Sequence, residues 1–211
     1  TTKTWMKTKE EDKQGGIMNT FDLAKFFDKE SLLDTMYTLK TKANIDDKDY
    51  RLWYKLNENT KISVITSVGE SEKATVVDSI GQGSFGAALA SSINIGCAIQ
   101  DTFKEERSTS IGLLPINCII MQDDVSKLND NLRQARSGCN RIYETLTKKQ
   151  LSVNHDKCKY MIMGPKKYRE DTLAELEAEP MTMGGVTISH AVSEKYLGDW
   201  VSELGCKQSI S

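Results

Sequence analysis

Three carboxylates stand out as residues that could do chemistry. In "FDLAKFFD", Asp22 lies near the end of an apolar-leaning run that begins at Ile17. Further on, in "LPINCIIMQDDVSKL", Asp123 and Asp124 interrupt an apolar stretch that resumes at Val125. Adjacent like charges at the end of a core strand raise each other's pKa and cost stability. If the two strands are neighbours in one sheet, three acids converge at one edge, and divalent cations are what would make such a cluster tolerable. Mg²⁺ takes oxygen ligands and is typically held by one or two carboxylates together with substrate phosphates. Two such ions side by side form the clamp of in-line phosphoryl transfer. A plain alternative stays open: an Asp-Asp pair also suits a helix start, as at Asp46-Asp47, and a strand-ending Asp is often a turn former.

The elements that must position these acids follow from periodicity. Ile17 to Leu23 reads as a strand, and "DKESLLDTMYTLKTKA" places Leu32, Leu33, Met36, Tyr37 and Leu39 at helical spacing. "NIDDKDYRLWYKLNEN" predicts a second helix with Leu52, Trp53 and Leu56 on one face. The β-branched, alternating stretch from Thr60 to Gly83, with Gly69 near its middle, predicts a hairpin. "SFGAALASSINIGCAIQDTF" is a helix of small residues entered from glycines 81, 83 and 86. "LPINCIIM" is a strand turning at Gln122–Asp124 into a partner that starts at Val125, and "DNLRQARSGCNRIYETLTKKQ" is a strongly amphipathic helix. Beyond it come a strand pair or one bent strand in "LSVNHDKCKYMIMG", a charged surface helix in "REDTLAELEAE", a strand in "MTMGGVTISH" and a final strand in "SEKYLGDWV". This order predicts an α+β or α/β domain with a mostly antiparallel sheet and helices packed on one face.

The 211 residues suit one compact domain. No apolar run approaches the roughly 18 residues of a membrane span, so no membrane partner is expected. The N-terminal "TTKTWMKTKEEDKQGG" lacks a signal-like apolar core and does not begin with Met, which reads as a fragment or processed product. Five scattered cysteines without a C-x-x-C pair suggest reduced thiols, hence an intracellular location in nucleus or cytoplasm. His155 and Cys158 form an H-x-x-C pair, but no nearby residues complete a zinc set. A net charge of −2 argues against a stand-alone, high-affinity nucleic-acid binder while leaving room for a locally basic groove.

Taken in order, these segments resemble the palm of reverse transcriptases (RNA-directed DNA polymerases), especially those of non-LTR retrotransposons. "FDLAKFFD" is similar to the first palm motif, and "IGQGSFGAALASS" to the second, a Q-G dipeptide opening a helix of small residues. "CIIMQDDV" is similar to the third, "LSVNHDKCKYMIMG" to the Lys-bearing fourth and "EKYLGDWV" to the fifth, so that the resemblance runs from about Ile17 to Val201. It implies an α+β polymerase palm. Asp22 and Asp123 would bind two Mg²⁺ ions, with Mn²⁺ as the alternative metal, the Leu23 carbonyl as an additional ligand and Asp124 as the third acid. Phe27 would exclude a 2′-hydroxyl, although a core role for its ring competes. Gln82 and Gly83 would meet the incoming nucleotide. Lys157 would be the cation near the triphosphate, with Lys159 its competitor. Gln122, Tyr196, Leu197 and Gly198 would place the primer end.

The implied partners are an RNA or DNA template with its primer and deoxynucleoside triphosphates. Residues 1–16 read as a polar leader, residues 17–201 as the palm and residues 202–211 as a tail. The family's fingers and thumb are expected to be largely missing from the chain, and they would carry much of the basic surface. One departure is Gln122, where many members have an aromatic residue or Ala before the acids. Two competitors stand beside this reading: a catalytically inactive or domesticated interaction domain, and another palm-fold nucleotidyltransferase or cyclase.

Overall fold

The computed structural model describes residues 2–11, 14–76, 78–80, 86–106, 109–111, 114–122, 124–196 and 199–203. A helix α1 (Thr2–Glu11) precedes the first strand β1 (Gly16–Ala24), which leads through a single-turn α2 (Phe26–Lys29) into α3 (Leu32–Thr41) and α4 (Asp47–Asn57). Ser31 caps α3 and Asp46 caps α4 by accepting the amide of Lys48, so the first Asp-Asp pair is helix-start chemistry. Four short strands, β2 (Lys61–Ile62), β3 (Ile65–Thr66), β4 (Gly69–Glu70) and β5 (Ala74–Thr75), form the expected hairpin in two tiers, β2 with β5 and β3 with β4.

The small-residue helix is α5 (Ala87–Phe103), followed by β6 (Thr109–Ile111), β7 (Leu114–Ile116), β8 (Cys118–Met121), β9 (Asp124–Asn129) and the amphipathic α6 (Leu132–Lys148). The chain continues through β10 (Ser152–Val153), β11 (Lys159–Met163), α7 (Lys166–Ala178), β12 (Thr182–Met183), β13 (Val186–Thr187) and β14 (Ser189–His190), and ends its described part in the hairpin β15 (Ser193–Tyr196) and β16 (Asp199–Ser202). None of the described helices is long and apolar enough to cross a membrane.

The central sheet runs β14-β11-β1-β9-β8, with β10 also pairing β1, and only the β11–β14 contact is parallel. Strand alternation assigns its two faces. Ile17, Phe21 and Leu23 of β1 join Val125 and Ile162 under α5, α6 and α7 in the larger core, with Ile95, Ile142 and Leu176 packed among them. Met18, Leu128 and Met161 face the other way, under α1 and the β15–β16 hairpin. The helices expected on one face are therefore joined by α1 on the opposite one. The stretch read as a polar leader is helical and buries Trp5 and Met6.

Other differences have simple physical causes. Leu32, Met36 and Leu39 bury one stripe of α3 while Leu33 and Tyr37 stay more than half exposed, and on α4 Trp53 is buried where Leu52 and Leu56 are not. A helix with two overlapping apolar stripes can pack only the one that meets a neighbour. "MTMGGVTISH" is a hairpin plus an edge strand. Gly184 and Gly185 both have positive φ (57° and 83°) between paired Met183 and Val186, a two-residue turn that glycine fills without strain.

A buried polar junction ties α3 to α5 and α6. The Glu30 carboxylate accepts from Thr35 and from Asn94 Nδ2 (3.1 and 3.0 Å), and Lys149 Nζ reaches Asp34 Oδ2 (2.6 Å) and Asn94 Oδ1 (2.9 Å). Burial raises the Glu30 pKa, against the lowering effect of hydrogen bonds from Ser91, Asn94 and Thr35 and of the Lys149 charge. A carboxyl that holds its proton more tightly when folded contributes stability below its ordinary pKa and loses it as pH rises through the folded value. Glu30→Gln keeps an acceptor for Thr35 and Asn94. It should flatten the stability profile across that acidic window and leave the urea midpoint at pH 7 equal or higher; a lower midpoint at pH 7 would count against this account.

Candidate functional site

Asp22 and Asp124 meet on the sheet face that carries α1 and the last hairpin. Asp22 shares its face with Met18 and Thr20, and it stands directly across from Asp124 in the β1–β9 ladder. Both backbone groups of Asp22 point away from β9: its carbonyl accepts from Asn154 N–H (2.9 Å) and its amide donates to Cys158 Sγ (3.4 Å). Asp22 and Asp124 are thus a non-hydrogen-bonded cross-strand pair, the register that brings opposite Cα atoms to about 4.5 Å and side chains closest. Two carboxylates are held where they repel each other most.

The turn that delivers the second acid is itself anchored. Met121 pairs with Asp124, leaving two residues between the strands, and Gln122 adopts φ 58°. The Gln122 amide donates to Ser92 Oγ of α5 (3.0 Å), and that hydroxyl donates to the Ala88 carbonyl (2.9 Å). A left-handed residue in a tight hairpin matches the twist of the strands but strains a side chain that branches at Cβ. Gln122→Gly is therefore expected to change stability by under about 1 kcal/mol, and Gln122→Val to lower it by about 1–2 kcal/mol. Urea unfolding of the two variants checks this, and equal midpoints would contradict it.

A cleft of about 250 Å³ opens here, lined by Thr20, Asp22, Asp124, Lys157, Glu194 and Tyr196 among others. Lys157 Nζ lies 3.6 Å from Asp22 Oδ1, while Lys159 is engaged by Glu194 at 3.5 Å. The two candidate lysines therefore separate, and Lys157 is the one beside the acid. The same Glu194 accepts from Thr20 Oγ1 (3.2 Å), which ties β15 to β1 at the cleft wall. Tyr196 is buried. Burial pushes its hydroxyl up to about 12 against the lowering effect of Ser126, with Asp124, Cys118 and Glu194 adding to the rise, so it keeps its proton at neutral pH.

Of the remaining expected site residues, Leu23 turns its side chain into the larger core on the far face, and only its carbonyl is assigned a role. Phe27 is not among the described residues lining the cleft; it is partly buried, packs against two cores and meets the Phe26 ring at 5.0 Å between centroids. Asp123, Gln82, Gly83, Leu197 and Gly198 lie outside the described residues. Among the described residues no group of three or more His, Cys, Asp or Glu side chains is gathered to hold a metal. Asp22 and Asp124, with Asp156 and Glu194 also lining the cleft, offer carboxylate oxygens, the hard-donor chemistry that would suit Mg²⁺ or Mn²⁺. Sequence reasoning missed Thr20, Glu194 and Cys158. Thr20 was detectable in principle, since period-two alternation puts it on the face of Asp22; the other two depend on contacts between distant strands.

This mixed α+β arrangement, a mostly antiparallel sheet with paired acids at a cleft on one face, is a polymerase palm-like fold. Among solved structures, the chain is similar to the telomerase of Candida albicans in complex with a fragment of telomeric RNA. That match has a TM-score of 0.58 at 13% identity, over 93% of this chain and 31% of the telomerase. An insertion-loop deletion mutant of a human picobirnavirus RNA-dependent RNA polymerase matches with a TM-score of 0.55 at 12% identity, over 95% of this chain and 32% of that one. The same viral polymerase without that deletion matches with 0.51 at 13% identity, over 75% and 31%. The chain spans about a third of the length of each. No protein-family model and no curated protein matches the sequence.

Proposed function

We propose that this chain is the palm of an RNA-directed DNA polymerase of retroelement type, which adds deoxynucleotides to a primer 3′-hydroxyl on a nucleic-acid template. The observation that carries the reading is the closest-approach pairing of Asp22 with Asp124 at the cleft in a palm-like sheet, with Lys157 beside it. The neighbours include both a telomerase and RNA-dependent RNA polymerases, so their likeness supports template-directed nucleotidyl transfer. The choice of deoxynucleotides and the non-LTR retrotransposon type rest on the sequence motifs alone.

In this reading Asp22, Asp124 and Asp123 hold two Mg²⁺ ions, with the Leu23 carbonyl as a further ligand. The ions, when bound, would activate the 3′-hydroxyl and neutralise charge on the departing pyrophosphate. The chain's own part is positioning. Asp22 and Asp124 fix where positive charge collects, and Lys157 presents an ammonium group to the phosphates from the rim. Buried Tyr196 closes the wall nearest Asp124 and is assigned to shaping the primer side. Gln82 and Gly83 are assigned to the incoming nucleotide, and Gln122, Leu197 and Gly198 to the primer end. Phe27 packs as core in this fold, so the proposal does not need its ring as the sugar gate. Fingers and thumb segments would supply the remaining grip on template and duplex, in a nuclear or cytoplasmic setting.

Primer extension on an RNA template with Mg²⁺ and deoxynucleotides tests this. The wild-type chain should extend the primer and Asp123→Ala should not; equal signal from both would remove the catalytic assignment. A second reading, a non-catalytic interaction domain, is favoured by the exposed Leu33, Tyr37, Leu52 and Leu56 on α3 and α4. It predicts no extension by the wild-type chain and no binding of Mn²⁺.

A further inference from the structure

The strand that carries Asp22 changes partners at that residue. From Gly16 to Thr20, β1 pairs with β11, and at Leu23 and Ala24 it pairs with β10. Phe21 and Asp22 fall in the gap, opposite the turn formed by residues 154–158. Asp22 is the residue whose amide and carbonyl point into that gap, and a buried strand amide left without an acceptor is costly. The turn supplies what the ladder lacks. Asn154 donates to the Asp22 carbonyl at 2.9 Å, and Cys158 Sγ accepts the Asp22 amide at 3.4 Å. Lys157, from the same turn, lies 3.6 Å from Asp22 Oδ1.

The turn is rigid in its own right. The amides of Lys157 and Cys158 both donate to the Asn154 carbonyl (3.1 Å each), and the Cys158 amide also reaches the His155 carbonyl (3.2 Å). Cys158 is fully buried.

We propose that Cys158 is a positioning residue for Asp22: its sulfur completes the broken ladder and so fixes the direction in which the carboxylate leaves the strand. The cysteine of the H-x-x-C pair thereby has a role that needs no zinc. A serine in the same place keeps an acceptor, whereas a valine fills the space without one. The consequence for metal binding rests on the function proposed above; the consequence for the Asp22 amide does not.

Two measurements on the full chain test it, hydrogen exchange at the Asp22 amide and direct titration with Mn²⁺. In the wild type the Asp22 amide should be protected like those of Met18 and Thr20. In Cys158→Val it should exchange about tenfold faster and Mn²⁺ should bind about tenfold more weakly, the loss expected for one hydrogen bond. Cys158→Ser should restore both to within about threefold, which a pure packing role would not require. An unprotected Asp22 amide in the wild type overturns the proposal, as does wild-type Mn²⁺ affinity with full protection in Cys158→Val. A Cys158→Ser variant no better than Cys158→Val also overturns it. If Cys158→Val does not fold, wild type and Cys158→Ser decide: a protected Asp22 amide in both supports the proposal, and loss in either removes it. A protected amide that is lost in Cys158→Val, in a chain that binds no Mn²⁺ at all, would uphold the positioning role and sink the metal reading instead.

Discussion

Asp22→Asn should abolish Mn²⁺ binding and cut primer extension by about a hundredfold or more, while leaving the protein at least as stable as the wild type. The two effects have opposite signs because one carboxylate serves both. Across the β1–β9 ladder Asp22 faces Asp124 in the register of closest approach, so removing one charge relieves a repulsion that the fold otherwise carries. The ion pair lost with it is weak: Lys157 is 67% exposed and its ammonium stands 3.6 Å away, where an exposed pair is worth under about 1 kcal/mol. Asparagine matches the shape of aspartate and leaves both backbone bonds to Asn154 and Cys158 in place. In the proposed site it would remove an anionic ligand, and a metal clamp contributes several kcal/mol of charge stabilisation, of which about 3 kcal/mol corresponds to a hundredfold in rate. Extension rate, Mn²⁺ titration and the urea midpoint are three independent readings of the same variant. Unchanged Mn²⁺ affinity would refute the site. A midpoint lower by more than about 1 kcal/mol equivalent would mean that the pair is structural rather than repulsive.

Much of this site could be read from the sequence because a strand's alternation carries positional information over short range. The run from Ile17 to Leu23 fixed which residues share the face of Asp22, and the interruption of an apolar run at 122–124 marked the turn opposite. Where two apolar stripes overlap on one helix, periodicity could not choose between them, which is why Leu52 and Leu56 were expected in the core beside Trp53. The neighbour decides: Trp53 packs with Leu32, Met36 and Ile80, and Leu52 and Leu56, together on one flank of that stripe, face out. The Gly184-Gly185 turn is a hairpin signal that the apolar residues on either side of it obscure. Cys158 and Glu194 were not legible in that way. Their contacts with Asp22 and Thr20 cross 136 and 174 residues of chain, and the Cys158 contact exists only because β1 changes partners at the acid. A local pattern holds no information about where a ladder breaks.

Trp5→Ala should be the most damaging substitution for folding, by about 3–5 kcal/mol, the usual cost of emptying a buried tryptophan site. Polar neighbours disguise it: "TTKTWMKTKEEDKQGG" has two apolar side chains of note among charges. Both go inward. The Trp5 ring has no exposed surface and belongs to the core that covers Met18, Leu128 and Met161, the same sheet face that ends in Asp22 and Asp124. Its Nε1 donates to Thr109 Oγ1 at 3.2 Å, tying α1 to β6, and Thr109 in turn hydrogen-bonds Asp130, the partner of buried Lys9. The ring also leans on Gly16, where an added Cβ would come within 2.6 Å of it, so glycine is what lets the helix lie against the start of β1. Against a total stability of about 5–15 kcal/mol for an ordinary domain, such a loss is a large fraction of the whole. Trp5→Phe, which fills most of the space but cannot reach Thr109, should cost about 1–2 kcal/mol, and Gly16→Ala should fall between the two by forcing the ring away. Chemical denaturation of the three variants gives the order. If Trp5→Ala unfolds at the wild-type midpoint, α1 is not part of this core, and the support it gives to the face bearing the acids disappears with it.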